Sequence, residues 1–206
     1  ERAARPANIA AAVALLAEMQ RGDLDLDRIE ELVAGDNMLA CRLLAVVNSS
    51  AFGFHQRVDS LRHAIVLLGV NQVRNIATLL ALSMTKGADE ELILLGAVRA
   101  RVASALAANP AQRGGAFTVG LLSVADALYQ TSMEQLVEDL PLPRDVATAL
   151  TEGEGELGRL LAIARACEDA DVDELEAMLP GGVHSARAAY GEAMQWADGL
   201  RRQMLI

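Results

Sequence analysis

Residues 48–70, NSSAFGFHQRVDSLRHAIVLLGV, form the most polar stretch between two apolar segments of the chain. The stretch contains His55 and His63, two of the three histidines, together with Asp59. Side chains of these types build metal sites and acid–base sites when several of them converge. They also occur in packed connections between helices. The stretch therefore poses a choice between an active site and a structural joint.

The residue types favour the structural joint. Asn48 follows the apolar residues 38–47, where its amide can bond to unsatisfied helix carbonyls and to the backbone of the loop. Phe52 and Phe54 flank Gly53, so the two rings can anchor the loop to a core while the glycine permits an unusual backbone angle. We therefore interpret the loop as architectural, with a solvent side that can serve for docking.

Spacing argues against catalytic chemistry. No HExxH motif, CxxC motif or His-Asp doublet occurs in the chain. Asp59 and His63 are four residues apart and can share a helix face, which keeps a non-standard metal site as an alternative. Cys41 falls in the middle of an apolar helix rather than at a helix start, and we expect both Cys41 and Cys167 to be buried, reduced thiols.

The segments after the polar loop have the signals of two successive helices. Asp59 or Ser60 can cap LRHAIVLLG, Gly69 supplies the left-handed residue at its end, and Asn71 can cap QVRNIATLLALSM. Because so few residues separate the two segments, we expect an angled helix pair joined by a tight corner.

The chain as a whole has the pattern of an all-α protein. Ala and Leu are abundant, β-branched alternation is absent, and we predict on the order of ten helices. Residues 110–115 are rich in helix breakers, which predicts a boundary between subdomains 1–108 and 109–206, packed as one module. A final amphipathic helix is predicted from about Val183, with Met194 on its inward side.

The net charge of −10 is unevenly distributed. Residues 134–176 carry 13 acidic and 3 basic side chains. The chain has one lysine, Lys86, and only 3% aromatic residues, so it lacks a phosphate-tracking surface and stacking platforms. We therefore predict no nucleic-acid binding. No apolar run approaches the roughly 18 residues of a membrane span, so we predict no membrane insertion and expect a cytoplasmic protein.

The segments at 36–54, DNMLACRLLAVVNSSAFGF, and 58–69, VDSLRHAIVLLG, resemble the signature of the HDOD family, the HD-related output domain. That signature is roughly D-P-x-L-x-x-[KR]-[LIV]-L-x-x-[LIV]-N-S-[AS]-x-F-G, followed by I-x-S-[LI]-x-x-A-[IV]-x-x-L-G. One departure is Asn37, where proline is usual. The principal signature residues present here are Asp36, Leu39, Asn48, Ser49, Phe52, Gly53, Ser60, Ala64, Leu68 and Gly69.

The resemblance implies a compact, multi-helix HDOD fold related to the HD superfamily. HD-superfamily phosphohydrolases carry a metal-ligating His-Asp doublet in a segment resembling G-L-L-H-D-I-G. This chain has GLLSVADAL at 120–128, with Ser123 and Val124 at the doublet positions. A serine and a valine cannot replace an imidazole and a carboxylate around a divalent ion. The resemblance therefore predicts no catalytic residue, no metal and no cofactor.

The remaining chain, including RARVASALA at 99–107, resembles the HDOD module fused behind EAL domains, the phosphodiesterase family for cyclic di-GMP. We predict a non-catalytic signal-transduction output module that binds other signalling proteins or an upstream EAL-type domain of the same chain. A second copy of the chain is a further candidate partner. The alternatives are a metal-dependent phosphohydrolase with a non-standard site and a nucleotide-binding sensor. The predicted docking surface comprises Arg57, Arg62, His63 and Arg74.

Overall fold

The computed structural model of the chain describes residues 33, 37–48, 57–83, 89–140 and 142–204. All regular structure in these residues is helical, which confirms the predicted all-α class. The α-helices are α1 (Asn37–Val47), α2 (Leu61–Leu68), α3 (Val70–Ser83), α4 (Glu90–Leu106), α5 (Arg113–Leu122), α6 (Ala125–Tyr129), α7 (Met133–Asp139), α8 (Arg144–Thr151), α9 (Gly155–Glu168), α10 (Val172–Met178) and α11 (Val183–Met204). One 3₁₀ turn, Pro110–Gln112, precedes α5.

The chain forms two compact units. Unit 1 comprises Glu1–Ala88 and Asp198–Ile206, and unit 2 comprises Asp89–Ala197. The breaker-rich segment 110–115 lies inside unit 2, where it supplies the 3₁₀ turn and the start of α5. The predicted subdomain boundary between residues 108 and 109 stays a prediction, whereas packing divides the chain between Ala88 and Asp89 and again between Ala197 and Asp198.

In unit 1, helices α1, α2 and α3 pack against one another. Leu43, Ile76 and Leu79 are among the largest fully buried side chains there. The apolar sequence of α1 predicts a helix covered on most sides, but Cys41 and Ala45 are exposed. The expected burial of Cys41 is therefore wrong, because α1 is amphipathic, with Leu43, Val46 and Val47 buried and Cys41 on its exposed side.

The corner between α2 and α3 is a single residue, Gly69. Its φ of 80° lies where side-chain-bearing residues are strained, so glycine is required here. The Gly69 N–H donates to the Ile65 carbonyl at 2.8 Å, and the Gly69 carbonyl accepts from the Val73 N–H at 3.2 Å. The prediction that Asn71 caps the second helix is wrong, because α3 begins at Val70.

Among the described helices of unit 2, α4 and α5 share the most extensive contact. A Cβ added to Gly120 would collide with the backbone of Ala100, and one added to Gly96 would lie 2.9 Å from the Leu121 carbonyl oxygen. These two glycines let the helix backbones touch. Helix α9 packs against α4, α5, α8 and α10, and its Leu160 is fully buried.

The last helix begins at Val183, as predicted. Its alanines at 186 and 193 are fully buried, whereas Arg187 and Glu192 are exposed, so the helix is amphipathic in the predicted sense. Met194, predicted to face inward, is instead 48% exposed. The side chain that fills the neighbouring core position is Trp196, which is largely buried.

Candidate functional site

Asn48 closes the polar loop at its two ends. Its Nδ2 donates to the carbonyl oxygens of Leu44 and Val58, both at 2.7 Å, and its Oδ1 accepts from the Val58 N–H at 2.7 Å. The amide thus adds a second bond to the Leu44 carbonyl, which already accepts from the Asn48 backbone N–H at 3.0 Å, and pairs with the backbone of Val58 in both directions. The predicted structural role of Asn48 follows from this geometry.

The entry to α2 is built by a capping serine and a buried apolar pair. The Ser60 Oγ accepts from the His63 N–H at 3.2 Å, so Ser60 rather than Asp59 is the N-cap. Val58 and Leu61 are buried on either side of this cap. Together with the Asn48 bonds, these contacts fix the direction in which α2 leaves the loop.

The outward face of α2 combines apolar and ionisable side chains. Val66 is 74% exposed and Leu67 is 45% exposed, which are high values for branched apolar residues. One turn earlier lie Arg62, which is exposed, and His63, whose Nδ1 is 3.4 Å from the Asp59 Oδ1. This combination can bind a partner that offers apolar and acidic groups.

The predicted docking surface stays a prediction. Arg57 lies four residues before α2, and Arg62 and His63 lie in its first turn. The side chain of Arg74 lies outside the described residues. Of the family signature, Leu39 and Ala64 are buried core residues, Ser60 and Gly69 bound α2, and Leu68 is half-buried. The signature and loop positions outside the described residues are Asp36, Ser49, Phe52, Gly53, Phe54 and His55.

Ser123 and Val124, which the family resemblance places at the HD-type doublet positions, are buried at the end of α5. The Ser123 Oγ donates to the Gly120 carbonyl at 2.7 Å and accepts from the Arg99 Nη1 at 3.2 Å. Arg99 in turn forms a bidentate pair with Glu168, with Nε to Oε1 and Nη2 to Oε2 both 2.8 Å. The pair joins α4 to α9, and Ser123 ties it to α5.

Further charges surround this pair. Burial lowers the pKa of Arg165, the nearby positive charge of Arg99 lowers it further, and Glu168 and Asp126 act in the opposite direction. Burial also raises the pKa of Tyr190, and the carboxylate of Glu168 adds to that effect. The region is therefore a compact group of alternating charges at the edge of the unit 2 core.

The residues present do not fit a metal ion of the HD type. In the described segments no three His, Cys, Asp or Glu side chains converge as metal ligands. At the doublet positions Ser123 already both donates and accepts a hydrogen bond, and Val124 offers no ligand atom. Asp59 and His63 supply only two ligands. Divalent ions in proteins require more donors than either place provides.

Sequence reasoning missed the Arg99–Glu168 pair. Because 69 positions of sequence separate the two residues, the sequence alone does not reveal that their side chains are in contact. The available signal was Arg99 itself, a charge in a helix whose neighbouring Val98 and Ala100 are buried. A long basic side chain in an apolar helix usually needs a buried acidic partner.

Two further features of unit 2 were also missed. The Arg101 guanidinium lies 5.3 Å from the centre of the Trp196 ring, a cation–π arrangement. An open groove of about 610 Å³ is lined by residues on both sides of the turn before α9, among them Arg144, Asp145 and Glu156. Neither feature adjoins the signature residues in sequence.

The sequence model of the HDOD domain family matches residues 6–124, more than half of the chain. The chain belongs to the HDOD family. The match contains the Asn48 loop, α2, α3 and the Ser123–Val124 positions. The resemblance drawn from the sequence signature is therefore confirmed, and the residues described above up to Val124 lie in the matched HDOD domain.

Two curated relatives align with nearly the whole HDOD domain. The cyclic di-GMP phosphodiesterase CdgJ of Vibrio cholerae is 36% identical over 198 residues, covering 93% of this chain and 46% of CdgJ. The uncharacterized protein YuxH of Bacillus subtilis is 27% identical over 195 residues, covering 90% of this chain and 47% of YuxH. The chain thus spans about half the length of these relatives.

Solved structures support the fold. The crystal structure of an HDOD domain protein of unknown function from Geobacter sulfurreducens matches with a TM-score of 0.60 at 15% identity, covering 94% of this chain and 93% of that one. A candidate phosphohydrolase from Shewanella amazonensis matches with a TM-score of 0.61 at 17% identity, covering 93% of both chains. In the described part of the HDOD domain, no helix combines the length and apolar composition that crossing a bilayer requires.

Proposed function

We propose that this HDOD domain is a non-catalytic output module that docks other proteins through the outward face of α2. The observation that carries the proposal is the pair of exposed apolar side chains Val66 and Leu67 beside the ionisable Arg62 and His63. Exposed apolar groups next to basic ones are typical of recognition surfaces, because burial supplies affinity and charge supplies selectivity.

The charge of this face indicates the type of partner. Helix α2 contains Arg62 and His63 and no acidic residue. Arg57 and Asp59 precede it, and because the Asp59 Oδ1 lies 3.4 Å from the His63 Nδ1, the excess positive charge comes from the two arginines. A complementary partner therefore presents an apolar patch rimmed by carboxylates. Candidate partners are another signalling protein, an EAL-type domain of the same polypeptide and a second copy of this chain, and a cytoplasmic location belongs to the same proposal.

The absence of catalysis in this module is part of the proposal. Ser123 is held by Arg99 and by the Gly120 carbonyl, and Val124 has no ligand atom, which supports a domain without HD-type hydrolysis. CdgJ is named a phosphodiesterase, and this chain corresponds to 46% of its length. We infer that such activity resides in the remaining part of CdgJ-like proteins, with an EAL-type domain ahead of this module.

Affinity capture with surface variants tests the proposal. The immobilised chain is exposed to an extract of the source organism, and each captured protein is then purified and titrated against wild type, Val66→Asp and Val172→Asp. Val172 is 46% exposed on α10, so Val172→Asp is a matched control that places the same charge on a different surface. We expect Val66→Asp to weaken binding by at least about tenfold, as expected for loss of a central apolar contact, and Val172→Asp to leave it unchanged.

Other results would contradict the proposal. Equal binding by the two variants would move docking away from α2. Failure to capture any partner, together with a strictly monomeric chain in analytical ultracentrifugation, would argue against an interaction module altogether. Stoichiometric metal after dialysis with turnover of a phosphodiester would favour the phosphohydrolase alternative at Asp59 and His63. Calorimetric binding of cyclic di-GMP that Arg57→Ala and Arg62→Ala abolish would favour the nucleotide sensor.

A further inference from the structure

We propose that the Arg99 guanidinium takes the place of a metal ion in this HDOD domain, so that an internal ion pair with Glu168, bound to Ser123, links the three helices α4, α5 and α9. The inference deepens the non-catalytic part of the proposed function. It explains what occupies the region where the HD-type doublet would hold an ion and how the domain stays together there.

The geometry of the pair is that of a strong, directed contact. Both Arg99–Glu168 bonds are 2.8 Å long, and the side chains are only 15% and 16% exposed. Bidentate arginine–carboxylate pairs fix the relative orientation of both groups as well as their distance. The third bond, from Arg99 Nη1 to the Ser123 Oγ at 3.2 Å, uses a further edge of the same guanidinium.

The packing of α4 against α5 brings the Arg99 guanidinium close to Ser123. Gly120 lets the backbone of α5 touch α4 at Ala100, the residue after Arg99. Ser123 lies one turn after Gly120 and therefore faces the same part of α4. The region between these two helices and α9 is thus narrow. Arg99 reaches across it and places a positive charge among oxygen atoms of Glu168 and Ser123.

The local charges favour this internal cation over an added one. Glu168 is the acidic residue in contact with Arg99, and Asp126 and Arg165 lie close enough to interact electrostatically with this group. A divalent cation at Glu168 would meet the Arg99 guanidinium and would have to displace it from its carboxylate. A metal-dependent fold and an arginine-linked fold therefore make opposite predictions for chelation.

Thermal unfolding of the full chain tests the proposal in two arms. The first arm compares wild type in EDTA, in Mg²⁺ and in Mn²⁺. The second arm compares Arg99→Met, Glu168→Met and the double variant Arg99→Met/Glu168→Met with a control in the same helix as Glu168. That control is Glu156→Gln, which removes a charge from the more exposed pair formed with Arg159.

We expect the wild-type Tm to be the same in EDTA and in both metals. Each single methionine variant should lower Tm by roughly 5–10 °C, because it leaves a largely buried charge without its partner. The double variant should lose clearly less than the two single losses added together, since it removes both charges at once. Glu156→Gln should change Tm by less than about 2 °C, as expected for an exposed pair.

Several outcomes would overturn the proposal. One is a Tm that falls in EDTA or rises with Mn²⁺ in a saturable manner, since that shows a bound ion stabilising the fold. Another is single variants that behave like Glu156→Gln, or losses that are simply additive. If a single variant does not fold while the double variant does, the pair is confirmed by that contrast, and if no variant folds, the chelation arm decides. Docking through α2 is measured separately by capture with Val66→Asp, so either proposal can fail alone.

Discussion

The side-chain amide of Asn48 makes hydrogen bonds to backbone groups in the way that another peptide group would. Its amide supplies two donated bonds and one accepted bond, and the partners lie four residues before it and ten residues after it. Two of these bonds satisfy the N–H and the carbonyl of Val58, a buried residue. Loss of the amide would leave polar backbone groups unsatisfied next to the core, which costs more than the loss of an exposed bond.

We predict that Asn48→Ala lowers the free energy of unfolding by about 2 kcal/mol, because three hydrogen bonds are lost beside a buried backbone segment. Asn48→Asp should lose at least as much, since its second carboxylate oxygen would replace the donor Nδ2 and repel the carbonyl oxygens of Leu44 and Val58. Urea denaturation followed by circular dichroism measures the effect.

Asn109→Ala serves as the matched control, because the Asn109 Oδ1 makes one exposed capping bond to the Ala111 N–H. The control should lose at most about 1 kcal/mol. If Asn48→Ala were no more destabilising than Asn109→Ala, the loop closure would not depend on the amide.

The sequence was informative about single residues when their partners are local. The role of Asn48 could be predicted because helix ends leave carbonyls free at known positions. Ser60 was predicted as one of two candidate caps for the same reason. Arg99 could not be assigned a partner, since Glu168 is brought to it only by the packing of α9 against α4. Cys41 was misplaced because an apolar composition does not say which face of a helix stays open.

At the scale of elements, the crossing of α4 and α5 organises unit 2. Helix pairs normally keep their axes 8–10 Å apart because side chains fill the space between them. Here Gly96 and Gly120 remove the side chains at the contact, and the backbone of one helix meets that of the other. The closeness of this crossing positions Arg99 beside Ser123.

We predict that Gly120→Ala destabilises the domain by about 3 kcal/mol, because the new methyl group would meet the rigid backbone of Ala100 and force the helices apart. Gly191→Ala is the control. Gly191 lies in α11 with open space around its Cβ position, so alanine there should be neutral or stabilise by up to about 1 kcal/mol through helix propensity. Thermal unfolding of both variants measures the contrast. Equal losses would mean that the α4–α5 contact is not close in solution.

The existence of most helices could be predicted from the sequence, whereas some of their ends could not. Caps at Ser60 and Asp89 are local, and α2 and α4 begin directly after them. The segment 116–130 contains no proline, but the structure interrupts its helix at Ser123 and Val124. At the interruption the Ser123 Oγ donates to the Gly120 carbonyl. No proline or glycine lies at these two positions, so the sequence does not predict the break.

At the scale of the whole molecule, charge sets what the surface can attract. The excess of acidic residues lies at 134–176, where the short helices α7 and α10 each begin with a side-chain cap from Ser132 or Asp171. The net charge of −10 accompanies one lysine in the whole chain. Such a molecule repels phosphate backbones and remains colloidally stable at neutral pH.

We predict that the chain does not bind DNA or RNA with a Kd below about 100 µM at 150 mM salt, because its net charge of −10 opposes the approach of a phosphate backbone. Fluorescence anisotropy with labelled single-stranded and duplex oligonucleotides checks this. A salt-dependent Kd in the nanomolar range would contradict the prediction and would show that charge distribution, rather than net charge, governs this surface.

The family and the all-α class could be predicted at this scale, because a long sequence signature and a helical pattern both point to them. The division between Ala88 and Asp89 could not. A boundary between packed units depends on which helices share a core, and breaker residues such as those at 110–115 mark turns within a unit as readily as boundaries between units.

The joint at Gly69 has a mechanical consequence. The Gly69 N–H bonds to α2, the Gly69 carbonyl bonds to α3, and no other residue separates the two helices. We therefore expect a ligand that pushes on Val66 or Leu67 to tilt α2 and α3 together, because independent tilting would break one of the two Gly69 bonds. Such coupled tilting would carry the movement of a surface contact to the buried side chains of Ile76 and Leu79.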